Sequence, residues 1–155
     1  MRPTVLIVDE NANARIIAET LLRVHGIHVQ CAADGTEARE ILRGNDGTIA
    51  VLVVDMDEGV SGMNGWELLR CLSGRFGGLP LPTPPQIVAV SDRTEAAIER
   101  FARRLGASAF LHKPFAPREF IETVRQLLAH HVMHAHLEDA EVFADNKPRR
   151  AATRG

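Results

Sequence analysis

The chain predicts a doubly wound α/β fold, a five-stranded parallel sheet with helices on both faces, and three observations carry that reading. Apolar runs recur at Val5-Leu6-Ile7-Val8, Val51-Leu52-Val53-Val54 and Ile87-Val88-Ala89-Val90 without the polar alternation of a one-sided sheet, as expected of strands buried on both faces. Helix-length segments separate them, which parallel strands need for their crossovers. Each run also ends on a polar residue, Asp9 with Glu10, then Asp55, then Ser91. In open α/β sheets strand ends line one rim, and ligands bind there.

In order along the chain, Thr4 to Asp9 reads as the first strand. Asn11 or Asn13 caps a helix whose Ile17, Leu21 and Val24 share a face, and Gly26 ends it. Ile27 to Ala32 is the second strand, Asp34-Gly35 a turn, and Thr36 to Arg43 a short helix. Ile49 to Asp55 is the third strand, Met56 to Asn64 a loop, and Gly65-Trp66-Glu67 opens a helix that ends near Gly74. Prolines and glycines between Gly77 and Pro85 mark an irregular connection. Gln86 to Ser91, a helix from Thr94 to Leu105, and Ser108 to His112 follow. The last helix starts near Ala116 and turns Phe120, Val124 and Leu127 inward. Right-handed crossovers then give the strand order 2-1-3-4-5.

Composition narrows the function. The 155 residues suffice for one domain, with 45% hydrophobic and 25% charged residues and a net charge of −2. No bulk positive charge argues for nucleic acid. No apolar stretch reaches the ~20 residues of a membrane span, so a cytoplasmic protein is expected. Cys31 and Cys71 have no metal-ligand spacing and suit reduced, packed thiols.

The rim carries the chemistry. Asp9, Glu10 and Asp55, with Ser91 and then Lys113 in the fifth strand's Ala109-Phe110-Leu111-His112-Lys113-Pro114, bring acids, a hydroxyl and an ammonium to one place. That set suits a divalent cation plus a phosphoryl group. Each residue alone has a plainer reading: acids at strand ends cap helices, Ser91 fits a turn, Lys113 a solvated surface. Their joint placement on one rim favours a site.

These residues resemble the receiver domain of bacterial two-component response regulators over roughly residues 3 to 130. That family has an acidic pair after its first strand, an acceptor Asp after its third, Ser or Thr after its fourth and Lys-Pro after its fifth, places filled here by Asp9-Glu10, Asp55, Ser91 and Lys113-Pro114. The resemblance implies a flavodoxin-like fold and a phosphoacceptor rather than an enzyme. It implies phosphorylation of Asp55 by a sensor histidine kinase or phosphotransfer protein, with Ser91 and Lys113 contacting the phosphoryl oxygens. It further implies Mg2+ held by Asp9, Glu10, Asp55 and the backbone carbonyl of Asp57, and a Lys113-Pro114 bond that is often cis. Ser91 and Phe110 fall where the family has its switch pair, acting on a face of the fourth helix, fifth strand and fifth helix. That face is also a candidate homodimer surface; the expected output is contact with another protein, and charge balance and the lack of an apolar span argue against nucleic acid and membrane as partners.

Four departures qualify the match. The family's Gly falls eight residues past the acceptor, which would select Asp57 by reference to Gly65. The apolar run ends on Asp55 instead, and Asp57 as acceptor would bury Asp55 unpaired, so Asp55 is preferred, with two extra residues in the loop Met56 to Asn64. Asp92 stands where the family has Ala or Gly; its carboxylate either faces the phosphoryl pocket or caps the next helix. His130 to His136 continues the last helix, with His130 and His134 spaced to share a metal but better read as a solvated or partner-facing extension. Finally, Lys147-Pro148-Arg149-Arg150 lies in what reads as a disordered basic tail, making residues 131–155 an appendix to a domain of residues 1–130. Two other functions remain: a degenerate receiver that binds partners without phosphorylation, and a haloacid dehalogenase-type phosphatase using Asp55-Met56-Asp57, which lacks its downstream acidic pair here.

Overall fold

A computed structural model describes residues 2–57, 59, 62–74 and 78–145, the side chains of 138, 139 and 142–145 excepted. The parallel sheet runs β2-β1-β3-β4-β5, as the sequence predicts. Its strands are β1 (Thr4–Val8), β2 (His28–Ala32), β3 (Ile49–Asp55), β4 (Gln86–Ser91) and β5 (Ala109–His112). The helices are α1 (Ala12–Val24), α2 (Gly35–Arg43), α3 (Gly65–Leu72), α4 (Ala96–Arg104) and α5 (Pro117–Asp145).

Side-chain alternation along the strands builds two cores. Leu6, Val8, Leu52, Val54 and Ala89 face α2, α3 and α4 with Leu42, Leu68, Leu69 and Ala102. Val5, Ile7, Val51, Val53, Val88 and Val90 face α1 and α5 with Leu22, Phe120 and Val124. The inner strands are buried on both sides, so their sequences are apolar throughout.

Register aligns the strand ends. Val8 pairs with both Ala32 and Val54, Asp55 with Val90, and Ser91 with His112. The residues that leave β1, β3, β4 and β5 therefore emerge on one rim. Local chemistry then bends the chain into each helix. Asn11 caps α1 by accepting from the Ala14 amide at 3.1 Å, and Asp34 caps α2 through the Glu37 amide at 2.9 Å. Asn64 and Glu67 form a reciprocal capping box on α3. Gly26, at φ 76°, supplies the left-handed turn that closes α1.

Differences from the sequence reading lie at element ends. β2 starts at His28 and β5 at Ala109, one residue later than expected. α4 is shorter than Thr94–Leu105, because Glu95 occupies its N-cap without a side-chain cap bond; Asp92 therefore does not cap it. α5 is the larger difference, at 29 residues. Phe120, Ile121 and Val124 bury its first turns, and beyond residue 130 Val132, Met133 and Leu137 are exposed. The His130 and His134 rings lie 4.5 Å apart between centroids, but among the described residues no three His, Cys, Asp or Glu side chains cluster to hold a metal. The basic tail lies outside the described residues, as do residues 58, 60 and 61 of the loop after β3. Both cysteines are free and half-buried, and burial together with the nearby Glu19 carboxylate pushes the Cys31 thiol up to about 11. No described helix is long and apolar enough to cross a membrane.

Candidate functional site

The rim opens into a cavity of about 360 Å³ lined by Asp9, Glu10, Asp55, Asp57, Gly59, Asn64 and Gly65 among others. β1 delivers Asp9 and Glu10. Asp9 is fixed from both sides: its amide donates to the Ala32 carbonyl at 3.2 Å, and its carboxylate accepts from the Asn11 amide at 2.8 Å. Arg15 reaches back from α1 to the carbonyls of Asp9 and Glu10 at 2.7 and 3.1 Å. The Glu10 carboxylate abuts the Cα of Gly59.

Asp55 is the last residue of β3, and its side chain is only 16% exposed. Its Oδ1 accepts from the Asp57 amide at 3.0 Å and pairs with Lys113 Nζ at 3.0 Å. Gly65 makes this end possible: a Cβ there would strike the Asp55 carbonyl oxygen and stand 2.9 Å from Val54 Cγ1. Gly65→Ala is accordingly expected to lower stability by about 1–3 kcal/mol, as overpacking does. An unchanged denaturant midpoint would show that the β3 end yields freely.

The other side of the rim comes from β4 and β5. Ser91 is fully buried, and its Oγ donates to Asp57 Oδ1 at 2.6 Å and accepts from the Arg93 amide at 3.1 Å. The Asp92 amide donates to Asp57 Oδ2 at 3.2 Å. Lys113, whose bond to Pro114 is cis, donates to the same Oδ2 at 3.2 Å while holding Asp55. Its amide is tied to the Ser91 carbonyl at 2.9 Å. The rim thus carries two carboxylates bridged by one ammonium.

Electrostatics separate the two acids. Burial pushes the Asp55 carboxyl up to about 6, and the charge of Asp9 adds to it, against the opposing pull of the Asp57 amide and Lys113. Burial also works against ionised Asp57, but bonds from the Ser91 hydroxyl, the Asp92 amide and Lys113 outweigh it and hold that carboxyl below its ordinary range. Lys113 is likewise disfavoured as a cation by burial, yet Asp55, Asp9 and Asp57 raise it above the usual lysine value.

The structure therefore gathers Asp9, Glu10, Asp55, Ser91 and Lys113 on one rim. Asp57 joins them in a way sequence reasoning did not anticipate: it was weighed as the alternative acceptor and expected to lend a backbone carbonyl to the metal, whereas its side chain sits at the centre of the Ser91–Lys113 corner beside Asp55. The Asp92 side chain is exposed and the residue contributes its amide to the corner. Phe110 is half-buried against the α2–α3–α4 core and meets the His112 ring edge-on at 4.9 Å. Trp66, in the first turn of α3, lies 5.2 Å from the ring of Phe101 on α4 between centroids, so its environment reports on the position of α4.

Fold and rim together define a doubly wound α/β domain with a lysine-bridged acidic pocket at the carboxyl ends of its strands. Residues 5–125 match the response regulator receiver domain, and the chain belongs to that family. The regulatory protein VirG of Rhizobium rhizogenes is 30% identical over 139 residues, covering 90% of this chain and 54% of that protein. The DNA-binding response regulator MtrA of Mycolicibacterium paratuberculosis is 29% identical over 83% of this chain and 52% of its own length. The chain spans about half the length of these curated relatives. Among solved structures, a response regulator receiver protein from Pseudomonas putida is similar at TM-score 0.70 and 27% identity, over 81% of this chain and 98% of that one. A CheY-like receiver domain protein from Methanospirillum hungatei shares the fold at TM-score 0.71 and 21% identity, over 86% and 99%.

Proposed function

We propose that this receiver takes up a phosphoryl group on Asp55 from a histidine kinase or phosphotransfer protein and signals by changing its protein contacts. The observation that carries this reading is Lys113 Nζ held 3.0 Å from Asp55 Oδ1, on the rim that also presents Asp9 and Glu10. A carboxylate oxygen attacking phosphorus places negative charge on the equatorial oxygens. In this reading Lys113 and the Ser91 hydroxyl would receive two of those oxygens, so the chain would supply positioning and charge rather than a separate catalytic cycle. In this reading the domain is a phosphoacceptor, not an enzyme.

The donor set fits magnesium. The negative charge of Asp9 helps raise Asp55, a crowding that a divalent cation between them would relieve. A three-carboxylate cage is not required, because magnesium keeps several waters and takes one or two carboxylates. Asp9, Glu10, Asp55 and the Asp57 carbonyl would hold it, and when bound it would neutralise charge on the transferring group. Asp9→Asn is expected to weaken magnesium binding by about tenfold or more while raising metal-free stability by a few tenths to about 1 kcal/mol, since it removes one repelling charge. Unaltered magnesium affinity in a calorimetric titration would count heavily against the placement.

The direct test of the function is intact-mass measurement after incubation with acetyl phosphate and magnesium. A single phosphoryl adduct, absent without magnesium, supports the reading. No adduct favours a receiver that binds partners without phosphorylation, and sustained turnover of phosphate esters favours a phosphatase. DNA binding, which MtrA's name states of a protein matched here over only 52% of its length, is not carried over; output through a partner protein, with a homodimer through α4, β5 and α5 as one form of it, is the reading proposed for this chain.

A further inference from the structure

We propose that the Asp57 carboxylate is an internal ligand of the phosphoryl subsite, occupying in the resting chain the place an incoming phosphoryl group must take. The inference rests on the reading of Asp55 as acceptor and goes beyond it. Three donors converge on Asp57: the buried Ser91 Oγ at 2.6 Å to Oδ1, and the Asp92 amide and Lys113 Nζ, each at 3.2 Å to Oδ2. A hydroxyl, a backbone amide and an ammonium directed at two oxygens of one anion are the donor set that tetrahedral oxyanions recruit. Asp57 is well placed to reach it. Its own amide is tied to Asp55 Oδ1 at 3.0 Å, so the side chain leaves the backbone two residues past the acceptor and shares Lys113 with it.

Two consequences follow from occupancy. A phosphodonor must displace Asp57 before its oxygens can meet Ser91 and Lys113, so its apparent affinity falls by the fraction of time the corner is open. If the carboxylate fills the corner nine-tenths of the time, the reduction is about tenfold. Ser91 is also already drawn to an anion before any phosphoryl group arrives. The corner therefore starts from a partly switched arrangement, and phosphorylation exchanges one anionic ligand for another.

The test titrates beryllium fluoride, in the presence of magnesium, into the full chain and into Asp57→Ala and Asp57→Asn, following Trp66 fluorescence. Both substitutions keep the backbone carbonyl; Asn keeps the shape and most of the packing should Ala loosen the loop. The half-saturating concentration is expected to fall about tenfold in Asp57→Ala, with Asp57→Asn between it and the parent. The Asp92 amide resonance supplies the second readout. In metal-free protein it is expected to move upfield on removal of the carboxylate, and beryllium fluoride is expected to restore it. Equal or higher half-saturation in both variants overturns the proposal, as does an Asp92 amide that neither substitution moves. Failure of all three chains to bind beryllium fluoride would instead sink the reading of Asp55 as phosphoacceptor, while the metal-free amide comparison would still decide whether Asp57 fills the corner.

Discussion

Asp55→Asn is expected to abolish phosphoryl labelling and at the same time to make the metal-free protein more stable above neutral pH. The first effect follows from loss of the nucleophilic oxygen. The second follows from what the folded chain does to this carboxyl, which burial pushes up to about 6 from an ordinary 3.8. A raised acid holds its proton in the native state after the unfolded chain has released it. Stability therefore declines as pH climbs between those two values, and the full penalty persists above them. At 1.36 kcal/mol per pH unit the limit is near 3 kcal/mol, and solvent at the rim reduces it to about 1–3 kcal/mol. Asn carries no charge to desolvate, and Lys113 keeps Asp57 as partner. Urea midpoints in chelator-treated buffer should thus coincide at about pH 4 and separate at about pH 7.5, with the variant ahead. A less stable variant at the higher pH would mean that the Asp55–Lys113 pair outweighs desolvation. Persistent labelling of the variant, lost in Asp57→Asn, would move the acceptor two residues along the chain.

The two acids differ in how legible they were. β3 and β4 run from Ile49 to Asp55 and from Gln86 to Ser91 as expected, because a strand buried on both faces must end where the apolar run ends. Asp55 and Ser91 were therefore placed by the same constraint that fixed the strands, and Lys113 by its position just past β5. Asp57 was not. Its side-chain direction is decided by a turn off β3 whose bonds reach β4 and β5, residues 34 and 56 positions away, and no local pattern encodes such contacts. Two signals were available: the eight-residue spacing to Gly65, which selects Asp57, and its chemistry, a short acid two residues past a strand end, opposite a hydroxyl and an ammonium on neighbouring strands. The end of α4 nearest the rim was missed for a related reason. Glu95 makes no side-chain cap bond, so the start of that helix carries no capping signature, whereas Asn11, Asp34 and Asn64 announce theirs. The length of α5 was only half legible. No glycine or internal proline interrupts it up to Asp145, but periodicity marks an inward face only through the turns that Phe120 and Val124 bury.

Removal of the bridging cation, as in Lys113→Met, is expected to have the second largest effect, and its sign reverses that of Asp55→Asn. Lys113 Nζ is 3.0 Å from Asp55 and 3.2 Å from Asp57, with the three side chains 30%, 16% and 23% exposed. Truncating one member of a partly desolvated network leaves the remaining charges uncompensated. Full burial would cost about 3–5 kcal/mol, and the exposure here reduces that to roughly 1–3 kcal/mol. In the parent protein Lys113 is raised above its usual value of 10.5, so its stabilising contribution is complete below that pH and is lost only as pH rises through the higher folded value. Depressed Asp57 contributes above the ordinary carboxylate value and loses that contribution as pH falls. Lys113 titration should therefore add almost nothing to the parent's pH dependence across neutral pH, while the variant steepens the slope that Asp55 already gives: two facing carboxylates without their bridge repel once both ionise, and acid relieves them. The stability deficit should be greatest above about pH 7 and shrink toward pH 4. Labelling by acetyl phosphate should slow by about tenfold to a hundredfold as a charge-assisted bond to the transferring group is lost. Magnesium affinity should hold or rise, because a competing cation has left the pocket. A variant as stable as the parent at neutral pH would show that water, not Lys113, compensates the paired acids, and the electrostatic account of the rim would have to be rebuilt without the bridge.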